Sequence, residues 1–487
     1  MIFNMRREYI FSFLCLSFIL PFFLISLSAL DFKWFIFGVV SFCLFSVFVV
    51  VKDKENFLLG VLGLSLGVNL DINFFLCPCL SRFRLLSGGI SISVTDISIF
   101  LLWFLWFAYR NKNRMVINKS FLWPIILFQF LIICILLSFL NSIYICLSIY
   151  ELKKYCLIFS IILYLFFNIK NIFKLKCIVY TILIGVVISS IVGLLQYKIG
   201  ASLGFSVLGE TQEFFSQRVV GSLETIRRVS GLMLHANMFG IYLAMCLPIA
   251  YSLSFANLPY KDKMFPFFVT IIGTVALVLT FSRASLISFC FGMLFFALVK
   301  NQELFYRNNI FFLFIYLFAI LIICFLWGGK ILERFLDSPP EQLNYRFLLN
   351  SAAIKMILAH PFLGVGLNNF TAQLEVFSYD KIIPLARYPV HNFYLLIMAE
   401  TGVCALVAFV LFFLFALKSG MESYFISKDE VLRNISLGMV SGLLAVFLNC
   451  MVDFTLALSP LLMLFFTICA LMMCIRYNFC LSSLDMG

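Results

Sequence analysis

Charge is what this sequence has least of. Only 12% of its 487 residues are charged, against 63% hydrophobic ones and a mean hydropathy of +1.08; soluble domains carry about twice that charged share. A water-soluble core cannot absorb so much apolar surface, because large exposed patches drive association. Familiar catalytic signatures are missing too. There is no P-loop, no Rossmann glycine fingerprint, no His/Cys metal-ligand set and no G-x-S-x-G elbow. Those absences remove the usual carriers of nucleotide-driven, dinucleotide-dependent, zinc-dependent and serine-hydrolase chemistry. No cofactor and no metal are expected, and the energy for any reaction has to come from its substrate. Histidine is the scarcest acid–base group, with three residues: His235, His360 and His391.

Phenylalanine, by contrast, occurs 62 times and is spread along the chain. Continuous apolar runs of about 20 residues cross a bilayer as helices, and such runs exclude a barrel. Spans are expected near 9–30, 34–51, 57–76, 93–109, 121–140, 155–169, 177–197, 232–256, 265–282, 285–299, 310–328, 390–417, 434–455 and 458–475. The predicted fold is an all-α integral membrane protein with 12–14 transmembrane helices and one large outer loop containing short helices. The first run exceeds the 7–15 residues usual for a signal-peptide core and reads as the first span. The expected units are an N-terminal group of helices (1–200), a central group with an Arg-bearing loop (201–328), the large loop (329–389) and a C-terminal group (390–487). No internal repeat or low-complexity tract interrupts them.

The formal charge of +12 does not point to nucleic acid, because the basic residues sit mainly in short connectors and report topology. With the N-terminus inside, the inner connectors hold Arg6, Arg7, Lys52, Lys54, Arg110, Lys112, Arg114, Lys119, Lys170, Lys174, Lys176, Lys261, Lys263, Lys300, Arg307, Lys418, Lys428, Arg433 and Arg476, nineteen in all. Short outer turns hold six: Lys33, Arg82, Arg84, Lys153, Lys154 and Arg283. The remaining ten fall in two long outer segments, roughly 198–231 and 329–389. Both termini are therefore expected in the cytoplasm. Most of the 16 cysteines lie inside apolar runs, where a thiol behaves as a small hydrophobe. Cys77 and Cys79 flank Pro78 in an outer turn; with no nearby histidine they are read as unpaired thiols rather than a metal site.

Under this topology all three histidines and several arginines collect on the outer face. Arg227 and Arg228 precede the span at 232, Arg283 precedes the span at 285, and His391 opens the span at 390. Helix N-termini with free N–H groups, together with guanidinium forks, make an anion site suited to phosphates. Each residue also has a plainer reading. Arg227 and Arg228 serve equally as solvated loop charges, and Arg283 as a side chain reaching lipid headgroups. His360 serves as a helix cap before Pro361, and His235 as a histidine satisfied by neighbouring carbonyls. His391 is the foremost candidate. A helix N-terminus disfavours imidazolium, which keeps the ring neutral and able to accept a proton. Glu400, nine residues on, falls about 180° round the helix and is read as structural.

Four blocks resemble the O-antigen ligase/polymerase superfamily. Arg228-Val229-Ser230-Gly231 with Asn237 is similar to its R-x-x-G-x-x-x-x-x-N block, and Thr280-Phe281-Ser282-Arg283 to its S-R block. His360-Pro361-Phe362-Leu363-Gly364-Val365-Gly366 with Phe370 is similar to H-P-x-x-G-x-G-x-x-x-F, preceded by Arg346. His391-Asn392 followed by Gly402 matches H-[NSQ]-x9-G, while Ala405 departs from its last position. The blocks cover roughly 223–417. The resemblance implies an inverting, metal-independent glycosyl transfer in a bacterial inner membrane. Its donor is an undecaprenyl-diphosphate-linked glycan, and its acceptor a hydroxyl of the lipid A-core (ligase) or another lipid-linked repeat (polymerase). It implies His391 as general base and Arg228, Arg283, Arg346 and Arg227 as diphosphate ligands. Asn392, His360, Gly364, Gly366 and His235 are possible supporting residues. A protein O-oligosaccharyltransferase and a lipid-linked glycan transporter are the other readings. A transporter calls for ionisable residues at mid-membrane depth, and these spans are nearly free of them.

Overall fold

The structure is a computed structural model that describes residues 32–68, 70–76, 89–108, 119–211, 216–218, 225–304, 322, 325–330, 332–333, 340–378 and 388–480. Its elements follow the apolar runs. They are α1 (Phe32–Val50), α2 (Lys54–Ser65), β1 (Asp71–Leu76), β2 (Gly89–Ser93), α3 (Val94–Ala108), α4 (Leu122–Ser138), α5 (Ile145–Asn168) and α6 (Ile172–Ile199). After them come β3 (Ser216–Arg218), β4 (Thr225–Arg227), α7 (Ala236–Ser254), α8 (Tyr260–Leu279) and α9 (Arg283–Leu304). The chain continues with α10 (Pro340–Ala359), α11 (Phe370–Phe377), α12 (Phe393–Ile426), α13 (Glu430–Asn449) and α14 (Ser459–Cys474). The all-α integral membrane architecture expected from the sequence is the one observed. Among the described residues eight helices are long and apolar enough to cross a membrane, with shorter apolar helices at Trp34–Val50 and Val94–Ala108. The expected runs at 9–30 and, almost entirely, 310–328 lie outside the described residues, as do Cys77 and Cys79.

Two expectations need correction. The run 57–76 is not one span: α2 stops at Ser65, and the chain turns into β1, which pairs antiparallel with β2. Hydropathy averaged over a window cannot register that turn, because the strand residues Ile72, Phe74, Phe75 and Leu76 are as apolar as a helix. Lys153 and Lys154 do not sit in a turn either. They lie inside α5, which begins at Ile145, ten residues before the expected start. Partners make this tolerable: Lys153 Nζ stands 2.7 Å from the Asp96 carboxylate, and buried Lys154 pairs with buried Glu151.

The centre of the bundle is α7, buried along nearly its whole length and packed on α6, α8, α9 and α13. Its contact with α13 is close because Gly438 and Gly442 leave no side chain between the backbones. A Cβ at Gly442 would lie 2.1 Å from the Met245 carbonyl, and one at Gly438 2.4 Å from Ile249 Cα. Small residues four apart are the usual means of close helix approach in membranes, where packing rather than water exclusion drives association. The consequence is positional. The start of α7 is clamped beside the end of α13 at one end of the bundle.

Candidate functional site

At that end the chain breaks helix after helix. The α8–α9 break is three residues long: Thr280 caps the end of α8, Phe281 takes a left-handed φ of +47°, and Arg283 begins α9. Leu234, just before α7, is also left-handed at φ +59°. Such conformations cost of order 1–3 kcal/mol in a non-glycine residue and persist where the surroundings impose them. Here they aim the Arg283 and His235 segments into a common space.

A chain of hydrogen bonds ties this space together. Arg228, almost fully buried, donates through Nε to the Thr280 carbonyl at 2.9 Å and through Nη2 to Asn237 Oδ1 at 2.5 Å. Asn237 passes the link on, donating through Nδ2 to Asp453 Oδ2 at 2.9 Å. Asp453 also accepts the Thr455 N–H at 3.1 Å. His235 caps α7, its Nδ1 accepting the Asn237 N–H at 3.1 Å. Behind this row, buried Gln196 accepts the N–H groups of Ser230 and Gly231 and donates to Glu210 at 2.8 Å. The stretch 228–237 is therefore held from both sides.

His391 lies across from His235, in the loop before α12. Asn392 caps that helix, accepting the Leu395 N–H at 3.0 Å and donating to the Met451 carbonyl at 2.9 Å. The Phe393 N–H bonds the Cys450 carbonyl at 2.9 Å, which pins the start of α12 to the end of α13. The His391 ring meets the Phe454 ring edge-on at 5.3 Å, and its Nδ1 is buried with no hydrogen-bond partner among the described residues.

Burial, and then the positive charge of Arg346 on α10, push His391 down to about 4. Burial and then Arg228 push His235 down to about 4, with Asp453 opposing and His391 adding to the shift. Both rings are therefore neutral near pH 7. Burial pushes Asp453 up, against the Thr455 N–H and the charges of His235 and Arg346. Arg346 itself is exposed, and its charge is also felt at Arg283.

The structure thus brings together Arg228, Arg283, Arg346, His235, His391 and Asn392. It places three other candidates elsewhere. His360 lies at the end of α10, its Nδ1 3.3 Å from Asn141 Nδ2 and its ring against Phe377. Gly364 and Gly366 approach the protein itself. With φ of +66° and +101°, they lay the loop against the kink of α12, Val365 N–H on the Ala399 carbonyl and Gly366 N–H on the Glu400 carbonyl. That kink is Gly402 (φ +84°, ψ +171°), where a Cβ would lie 2.0 Å from the Phe362 carbonyl. Glu400, buried, accepts the Phe370 N–H at 3.2 Å. Arg227 ends β4, and its side chain lies outside the described part. Sequence reasoning missed Asp453 as a member of the site; its only sequence signal was an acidic residue beside a helix end.

Residues 268–410 match the family model of O-antigen ligase. The matched stretch holds Arg283, Arg346, His360, Gly364, Gly366, His391 and Asn392; Arg228 and His235 precede it. No curated protein matches the chain. The similarity to the O-antigen ligase/polymerase type of enzyme, read first from four short blocks, is supported by this match. Members of that family are glycosyltransferase-like enzymes acting on lipid-linked glycans and their acceptors. Among the described residues no three His, Cys, Asp or Glu side chains converge as metal ligands.

Proposed function

We propose that the protein transfers a glycan from undecaprenyl diphosphate to a hydroxyl of the lipid A-core on the periplasmic side of the inner membrane, as an O-antigen ligase does. One observation carries the reading: a half-buried His391, its Nδ1 without a partner among the described residues, lies where arginines converge on the starts of α7, α9 and α12. With its proton on the buried Nδ1, the ring offers the Nε2 lone pair to an acceptor hydroxyl. That oxygen attacks the anomeric carbon of the donor as its proton passes to Nε2. The bond from the anomeric carbon to the diphosphate oxygen breaks, and the diphosphate departs with the electron pair. In this reading Arg228, Arg283 and Arg346 stabilise the charge that develops there.

A ring held near 4 is a weak base in the free protein. The diphosphate itself corrects this. Its negative charges, brought among the arginines, favour imidazolium and raise the ring towards the working pH. The base is thus armed only when the donor is seated.

The test is replacement of His391 by Ala in cells, with lipopolysaccharide resolved on a gel. Loss of all long-chain glycan from the lipid A-core, with accumulation of lipid-linked glycan, supports the ligase reading. A core bearing a single repeat points instead to a polymerase, and an unchanged ladder removes His391 from the mechanism.

A further inference from the structure

Two adjoining cavities lie beside α1, α2, α3 and α5, and the mechanism above uses neither. One is a polar chamber of about 920 Å³ including its open mouth, which Asp71, Asp96, Glu151, Lys153 and Lys154 help to line. The second is an apolar groove of about 1170 Å³ including its mouth, which follows α1 from Phe37 to Phe48 and is walled by Val61 of α2 and Phe100 of α3. Asp96 and Lys153 line both. The groove therefore starts at an ion pair, with 2.7 Å between Lys153 Nζ and the Asp96 carboxylate, and beyond that pair its lining is almost all hydrocarbon.

We propose that the two cavities together bind a phospholipid of the bilayer itself, one with a primary ammonium in its head: phosphatidylethanolamine. One acyl chain lies in the groove, the phosphate sits at Lys153, and the ammonium enters the chamber. This site is separate from the transfer reaction and stands without it. Charge selects the head. The chamber sets three carboxylates, Asp71, Asp96 and Glu151, against two ammonium groups, Lys153 and Lys154. Lys154 is already held by Glu151 and the Ala457 carbonyl, which leaves Lys153 as the cation at the mouth of the groove. The carboxylates do not converge on one point as metal ligands do; they are spread so as to accept separate hydrogen bonds. A primary ammonium brings three N–H donors, and a trimethylammonium brings none. An anionic head would add like charge to a chamber that already has a surplus of one carboxylate.

Length and direction support the same occupant. The rise along α1 from Phe37 to Phe48 is about 16 Å, roughly half of a hydrocarbon core about 30 Å thick, so the groove has the depth of one leaflet. Its polar end lies at Asp96, in the first turn of α3. Leu234, the residue before His235, lines the chamber there, so the head faces the end of the bundle that carries the arginine site. Phe100 lines the groove and is half exposed. The groove therefore opens sideways, and the second acyl chain of the lipid can stay in the surrounding bilayer.

The test uses the full-length protein in phosphatidylcholine nanodiscs that contain a small share of phosphatidylethanolamine with a diazirine at the end of one acyl chain. Irradiation should label peptides of 32–50 and 54–65 more strongly than α4, whose exposed Phe130 and Ile133 report ordinary contact with lipid. Added unlabelled phosphatidylethanolamine should remove the label from the groove, whereas the same amount of phosphatidylglycerol should not. Asp96→Asn keeps the shape of the site and should raise the competing concentration needed about tenfold, the effect of one hydrogen bond to a charged group. Val61→Trp fills the groove and should bring its label down to the level on α4. His391→Ala should label like the wild type. A groove label in the wild type no stronger than that on α4, or equal competition by phosphatidylglycerol, overturns the proposal. So does a spontaneous disulfide between Cys15 and Phe45→Cys, which would show that the chain's own first apolar run fills the groove.

Discussion

Asn237 is the most informative single residue to remove, because its amide holds two charged groups in place at once. In Asn237→Ala the Arg228 guanidinium keeps its bond to Thr280 and loses the one at 2.5 Å. Asp453 keeps the Thr455 N–H and loses the donor at 2.9 Å. A hydrogen bond to a charged group is worth about 1.5–3 kcal/mol, so the full loss is bounded at roughly 3–6 kcal/mol. Relaxation of Arg228 towards Asp453 would recover part of it. A net loss of about 3 kcal/mol corresponds to roughly a hundredfold fall in kcat/KM. The assay is glycan transfer by purified protein from a defined lipid-diphosphate donor, alongside a thermal melt to separate misfolding from misplacement. A second variant sharpens the argument. Asn237→Asp with Asp453→Asn reverses the polarity of the link, restoring an acceptor for Arg228 and a donor between the two residues. The double variant should recover most of the activity that either single change removes. Activity of Asn237→Ala within about threefold of wild type would refute the idea that this relay organises the site.

Three further outcomes follow from the geometry. Gly402→Ala should lower the melting temperature sharply, at a cost of about 3 kcal/mol or more, because φ +84° with ψ +171° is essentially closed to other residues and the new methyl meets the Phe362 carbonyl; an unshifted melt would contradict it. Gly442→Ala should already force α7 from α13 and lower both transfer and melting temperature, because its Cβ alone would meet the Met245 carbonyl, and Gly442→Leu should abolish transfer; wild-type behaviour of Gly442→Ala would mean that close approach is not needed. The histidines predict a pH dependence of stability: both have folded values near 4, below their ordinary 6.5, so their contribution is complete above pH 6.5 and is lost as pH falls towards 4. Melting temperature should decline across that window, and the decline should flatten in a His235→Asn, His391→Asn double variant.

Much of this was legible in the chain itself. Apolar runs and the asymmetry of Lys and Arg gave the membrane class, and Arg283 and His391 each sit at a helix start with Arg228 in the segment leading into α7, which is why their convergence was foreseeable. What stayed hidden depends on partners distant in sequence. Nothing local to Asp453 tells that it meets Asn237, 216 positions earlier. Gly364 and Gly366 look like a substrate loop in isolation, because their true contact, the kink at Gly402, is made only in the fold. The Gly438–Gly442 pair has meaning only once α7 lies against it. The hairpin of β1 and β2 was concealed because an apolar strand and an apolar helix have the same hydropathy.

The account stands most directly on single-turnover transfer by the purified protein, with donor binding measured on the same samples. His391→Ala should bind the lipid-diphosphate donor as tightly as wild type and transfer no glycan, while Arg283→Ala should bind it weakly. Undiminished transfer by His391→Ala, or unchanged donor affinity in Arg283→Ala, would contradict the assignment of base and anion site.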